Sequence, residues 1–231
     1  MRLRQTLVAC TLCLAVNTFS QEVKISGEMR NVMKKGQLAA TIHLDTISNK
    51  QNLYGLGPVE YLKGEIVVVD GKTYTSKLDE NGKIIVKESF DAKAPFFVYA
   101  NNERWMETNL PSSIHNLKEL EIYIDKLTKD NQQPFVFRLV GIFKQVNFHI
   151  QNLPDGTIVK SPQDAHQGQG QFSSHDVSGE LVGFFSRKHQ AIFTHHDTFM
   201  HLHYINQDKT EMGHIDQVLF KGKVKLFLPK N

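Results

Sequence analysis

From Pro134 onward the chain is a succession of short apolar runs cut by turn formers, and this pattern leaves little room for anything but a sheet. The runs are Phe135–Phe143, Gln145–Ile150, Glu180–Ser186, Gln190–Thr194, Phe199–Ile205, His214–Phe220 and Lys223–Leu228. Each has strand length and carries β-branched or aromatic residues. The first half repeats the pattern at Ala39–Leu44, Glu65–Val69, Lys83–Val86 and Phe96–Tyr99. Asp70-Gly71 and Asn81-Gly82 supply the positive-φ residues of tight hairpins, so a meander is expected around them. A helical turn or two is expected around Glu28–Lys35. One longer helix is expected, capped by Ser112 or Ser113, in which Ile114, Leu117, Leu120, Ile124 and Leu127 recur at helical spacing. Ser161–Ser174, rich in Gln, Gly and His, reads as a long loop.

The N-terminus decides the expected compartment. Met-Arg-Leu-Arg precedes an apolar run from Thr6 to Val16, and Thr18-Phe19-Ser20 has small residues where a signal peptidase reads. Residues 1–20 are therefore expected to be a removed signal, giving an exported protein, periplasmic or secreted, with no membrane association after cleavage. A lipid anchor at Cys10 is the weaker reading, because the apolar segment runs on past it. The two cysteines, Cys10 and Cys13, both fall in the leader, so the mature chain has no thiol. The formal charge of +3 falls to +1 once Arg2 and Arg4 are removed. So balanced a surface argues against a nucleic-acid partner, which needs a concentrated basic face. The remaining chain is expected to form two lobes, an N-terminal α/β lobe over 21–131 and a C-terminal β-rich lobe over 132–231 that carries the metal.

That metal follows from three histidines. In Phe199-Met200-His201-Leu202-His203-Tyr204-Ile205, strand alternation puts His201 and His203 on one face and Met200, Leu202 and Tyr204 on the other. The polar turn Asn206–Thr210 reverses the chain, so an antiparallel return brings His214 beside His203. Three imidazoles that leave a coordination position open are the arrangement expected of catalytic Zn2+, and the mature chain has no cysteine to close the fourth site. Against this stands chance, since the chain has 11 histidines. His195-His196-Asp197 is a neighbouring cluster, expected to cover the mouth of the site, with a supporting role for Asp197 behind a ligand imidazole as the other reading.

With these residues in view, three segments in order resemble the α-acetolactate decarboxylases, zinc enzymes that convert 2-acetolactate into acetoin and carbon dioxide. Tyr54-Gly55-Leu56-Gly57-Pro58-Val59-Glu60-Tyr61-Leu62-Lys63-Gly64-Glu65-Ile66 is similar to the family's F-G-I-G-T-F-N-x-L-D-G-E-L segment. Phe137-Arg138-Leu139-Val140-Gly141-Ile142-Phe143 is similar to its strand with an arginine followed by x-x-G-x-F. His201-Leu202-His203-Tyr204 with Met212-Gly213-His214 is similar to its H-L-H-F and G-G-H. The resemblance implies an α+β fold of two lobes with mixed or antiparallel sheets and few helices. It implies zinc on His201, His203 and His214, and Glu65 and Arg138 lining the same cavity as catalytic residues. It also implies a small 2-hydroxy-3-oxo acid as substrate, and homodimers are common in enzymes of this kind. Pro58 and Lys63 depart from the family's threonine and aspartate, and Leu228-Pro229-Lys230-Asn231 offers no counterpart to the family's second glutamate near the C-terminus. That last departure supports the alternative, an exported protein that binds metal or a small ligand on the same scaffold without the decarboxylase activity.

Overall fold

The structure is a computed structural model and describes residues 22–230. The expected signal over residues 1–20, with Cys10 and Cys13, lies outside the described residues. Two antiparallel sheets face one another, and few helices accompany them. In chain order the elements are β1 (Lys24–Ser26), α1 (Met29–Lys35), β2 (Ile42–His43), β3 (Leu53–Pro58), β4 (Glu65–Val69), β5 (Lys72–Leu78), β6 (Ile84–Glu88), β7 (Lys93–Ala94), β8 (Phe97–Asn101) and β9 (Trp105–Asn109). There follow α2 (Leu117–Leu127), β10 (Phe135–Ile150), α3 (Pro162–Ala165), β11 (Gly170–Phe185), β12 (Met200–Asn206), β13 (Met212–Phe220) and β14 (Lys225–Pro229).

The first sheet has the order β1-β8-β3-β4-β5-β6, and its β4-β5-β6 part is the expected meander. The second sheet runs β11-β12-β13-β10-β14-β9. An additional ladder between β10 and β11, from Phe135↔Phe185 to Ile150↔Gly170, closes that sheet on itself. The ring of β10, β11, β12 and β13 encloses Phe137, Leu139, Phe148, Leu181 and Tyr204, with Leu120 and Ile124 of α2 joining the same cluster. Fully burying two such aliphatic side chains stabilises by about 1.5–3 kcal/mol each, and this holds α2 in place. Between the two sheets Tyr54, Leu56, Val67 and Val98 pack on Val136, Val182, Phe184 and Ile205. β9 and α2 precede Asn131 in the chain but join the second sheet and its core.

Several local expectations change. α2 is capped by Asn116, whose side chain accepts the amide of Glu119, and not by Ser112 or Ser113, because Ile114 N–H already closes a turn onto Pro111 O. The stretch Ser161–Ser174 is mostly ordered backbone: Ser161 caps α3, Gly170 begins β11, and polar residues alternate outward along the exposed half of that strand. Gln190–Thr194 is a turn and not a strand, since Ala191 has φ +61 and the amides of Ile192, Phe193 and Thr194 converge on His189 O.

The glycines of the Gly55-Leu56-Gly57 segment have a steric reason. A Cβ at Gly57 would stand 2.4 Å from Phe96 O, a main-chain atom that cannot swing aside. Gly57→Ala should therefore destabilise the protein by about 1–3 kcal/mol through forced backbone movement, read as a lower denaturation midpoint in chemical unfolding. An unchanged midpoint would mean that β3 and the segment before β8 are not packed this closely.

Candidate metal centre between the sheets

The hairpin of β12 and β13 sets the geometry. Asn206 holds its turn, accepting the amides of Thr210 (2.8 Å) and Glu211 (3.1 Å) on Oδ1 and donating through Nδ2 to Thr210 Oγ1 at 2.8 Å. Lys209 takes the left-handed φ of +59 that such a reversal requires. The resulting register pairs His203 with His214, Tyr204 with Gly213 and Ile205 with Met212. On the other side of β12, His203 pairs with Val182 and His201 with Phe184. The histidines therefore share the face of the second sheet that meets the first, while Leu202 and Tyr204 turn into the ring.

One ligand atom from each of His201, His203 and His214 lies within 4.8 Å of the others. His201 Nε2 and His214 Nδ1 are 3.0 Å apart. Co-ligands of a tetrahedral metal with bonds of roughly 2.0–2.1 Å stand about 3.3 Å from one another, so the spacing fits a shared ion. The rings are 2%, 0% and 8% exposed. Burial pushes all three imidazoles well below the ordinary histidine range, His203 to about 3, and the neighbouring imidazoles add to the effect. The neutral ring is the form a metal takes. His201 Nδ1 and both nitrogens of His203 are buried without a well-formed hydrogen bond, although the carbonyls of Phe193 and Ile66 lie close enough to favour an N–H on His201 and His203 respectively. Such orphaned polar atoms are costly, and coordination would satisfy the ligating nitrogen.

Further polar groups stand around this centre. Glu65 comes from β4, where alternation turns it and Val67 toward the second sheet; it is 2% exposed, with Oε2 3.6 Å from His203 Nε2. Burial raises its pKa well above the usual carboxylate range, opposed by the Gln151 amide, which donates to Oε1 at 3.2 Å, and assisted by the charge of Asp216. His195 brings Nε2 to 3.0 Å from His214 Nε2. His149, the ladder partner of His214 on β10, packs against it at a tilt with ring centroids 4.7 Å apart and binds Asp216 Oδ1 through Nδ1 at 2.8 Å.

Two cavities meet at the histidines. The smaller, of about 170 Å³, has Met29, Met33, Leu62 and Phe96 as its apolar wall and Glu65, His149 and Gln151 as polar lining. The larger, of about 460 Å³, opens toward Lys118 and Glu121 of α2 and toward Asp197 and Thr198. His195, His201, His214 and Asp216 line both.

Residues 26–228 match the model of the alpha-acetolactate decarboxylase family. The chain belongs to that family. It is 26% identical over 210 residues to the alpha-acetolactate decarboxylase of Brevibacillus brevis, covering 90% of this chain and 70% of that protein. It is likewise 26% identical over 176 residues to the Lactococcus lactis subsp. cremoris enzyme, covering 74% and 70%. In structure it resembles the alpha-acetolactate decarboxylase of Bacillus subtilis strain 168, with a TM-score of 0.74 at 20% identity over 90% of this chain and 86% of that one. A Staphylococcus aureus protein of unknown function, described as similar to alpha-acetolactate decarboxylase, gives 0.72 at 18% identity over 89% and 84%.

Of the residues that the sequence singles out, the fold brings His201, His203, His214 and Glu65 together. Arg138 it sets apart. Arg138 pairs with Val182, which pairs with His203, so it lies two strands, about 10 Å, from the triad. Its Nη1 donates to Glu180 Oε1 at 3.1 Å and to Tyr54 OH at 3.3 Å, and its guanidinium packs on Phe227 and Trp105. It is not among the residues lining either of these two cavities. In the loop before β12, His195 touches the centre, whereas His196 and Asp197 are exposed at the mouth.

His149, Gln151 and Asp216 belong to none of the motifs in the sequence. His149 and Gln151, two apart at the end of an apolar run, share a strand face, and that was the available signal. His203→Ala should lose at least one equivalent of bound metal per chain, measured by elemental analysis after dialysis. Unchanged metal content would remove His203 from the ligand set.

Proposed function

We propose that this chain is a zinc-dependent carbon–carbon lyase converting 2-acetolactate, or a close 2-hydroxy-3-oxo acid, to acetoin and CO2, exported after loss of its leader. The observation that carries the reading is the convergence of three buried, neutral imidazoles with the Glu65 carboxyl 3.6 Å from His203. His201, His203 and His214 would hold the ion. The all-nitrogen donor set suits Zn2+, which, when bound, acts as a Lewis acid that draws electron density from the carbonyl and hydroxyl oxygens of the substrate.

The reaction breaks the bond between the carboxyl carbon and C2; the bonding pair passes through C2 toward the C3 oxygen, and C2 must then gain a proton. Glu65 is the group placed to supply it. Burial favours the protonated form of this carboxyl, and its place in the lining of the smaller cavity fits delivery to one face, which yields one enantiomer of acetoin. The walls of Met29, Met33, Leu62 and Phe96 exclude water and so limit competing proton sources. His195, against His214 Nε2, orients that imidazole from behind.

Metal-loaded protein incubated with racemic 2-acetolactate should release acetoin far above the spontaneous rate. Glu65→Gln should keep its zinc and lose about 10²-fold or more of the activity. Acetoin at the spontaneous rate with zinc still stoichiometric would establish the binding-protein alternative. Arg138→Ala should lower stability, by about 3 kcal/mol, because it strands the Glu180 carboxyl, which is only 15% exposed. The metal should stay bound. A rise in KM without loss of stability would instead give Arg138 a direct contact with the substrate carboxylate.

A further inference from the structure

Gln151 is 3% exposed, follows directly on β10 and lines the smaller cavity. Its main chain is already engaged, since its amide N–H donates to Glu65 Oε1 at 3.2 Å. Its side chain is not fully engaged. Nε2 makes a long 3.5 Å contact with His149 Nε2, and Oε1 is buried with no hydrogen-bond partner.

The orientation of this amide follows from its neighbours. Asp216 is tied to His149 Nδ1 at 2.8 Å, and a carboxylate only accepts, so Nδ1 carries a hydrogen, and in the neutral ring Nε2 keeps its lone pair. An amide beside that lone pair turns its NH2 group toward it. The carbonyl Oε1 is thereby left as a buried acceptor without a donor, on a side chain that lines the cavity. A buried acceptor left unsatisfied costs about 1–3 kcal/mol, and a ligand that brings an O–H to this point recovers it. Glu65 and Gln151 both line this cavity, the carboxyl beside His203 and the amide beside His149.

We propose that Gln151 is a specificity-determining residue that accepts a hydrogen bond from the substrate's hydroxyl group, oriented for this by the chain Asp216–His149–Gln151. The proposal rests on the lyase reading for the identity of the substrate, but the selectivity for a hydroxyl donor is a property of the cavity itself. A site built around a hydrogen bond to a substrate hydroxyl rejects the analogue that lacks it, because its own polar group is left unpaired.

The test uses two stable ligands that differ only at this position, 2-hydroxyisobutyrate and pivalate, in which a methyl group replaces the hydroxyl. Binding to zinc-loaded protein is measured by titration calorimetry for the wild type, Gln151→Met and Gln151→Asn, with zinc stoichiometry as the check on the folded site. The wild type should prefer the hydroxy acid. In Gln151→Met that preference should shrink by about 10-fold or more, the equivalent of one hydrogen bond, and Gln151→Asn, which keeps a shorter amide, should fall between. An equal preference in wild type and Gln151→Met, or no measurable binding of the hydroxy acid to wild type, overturns the proposal. Acetoin formation is assayed separately. Turnover with an unchanged preference rejects Gln151 and keeps the lyase, whereas a Gln151-dependent preference without turnover rejects the lyase and keeps Gln151.

Discussion

Everything at the centre depends on the register of one hairpin. A slip of a single residue between β12 and β13 would send either His214 or the His201/His203 pair to the opposite face, into the ring beside Leu202 and Tyr204. Asn206 prevents this by tying the turn at three points, and the apolar alternation of Met200, Leu202 and Tyr204 prevents it from the other face, because those side chains have a core to fill. The site is therefore a by-product of how the second sheet buries its apolar residues. Coordination chemistry is then available without any loop having to be ordered for it.

The second constraint is the pairing of two sheets across a layer that is apolar except at one end. Where Val67, Val182 and Phe184 meet, the layer is an ordinary core. At its end the same alternation places Glu65 from one sheet against three imidazoles from the other. Burial then acts in opposite senses on the two kinds of group, keeping the proton on the carboxyl and off the rings. Burial thus favours a protonated acid beside three neutral imidazoles, the combination the proposed chemistry needs, and it does so mainly through a low-dielectric position.

Much of this could be read from the chain before its structure. The triad was legible because strand alternation and a short polar turn are local rules, and they place His201, His203 and His214 without reference to the rest of the fold. Glu65 was legible only through resemblance, since a glutamate at the start of a strand beside a glycine looks solvent-facing until the second sheet covers it. Arg138 was misplaced for a related reason. Its neighbourhood is set by β11, β14 and β9, which supply Glu180, Phe227 and Trp105 from remote parts of the sequence. His149 and Gln151 were hidden because their role depends on β10 pairing with β13, a contact between residues 65 apart or more. The closing of the second sheet by β10 and β11 was equally out of reach, as was the conversion of a polar, Gln- and Ser-rich stretch into the exposed half of a sixteen-residue strand.

X-ray absorption at the zinc edge of the metal-loaded protein tests the account most directly. A first shell of about three imidazole nitrogens at roughly 2.0–2.1 Å is expected, with the outer-ring scattering that imidazole produces. A shell made only of oxygen, or one with at most a single imidazole, would contradict it, because the three rings would then meet in the fold without meeting at a metal.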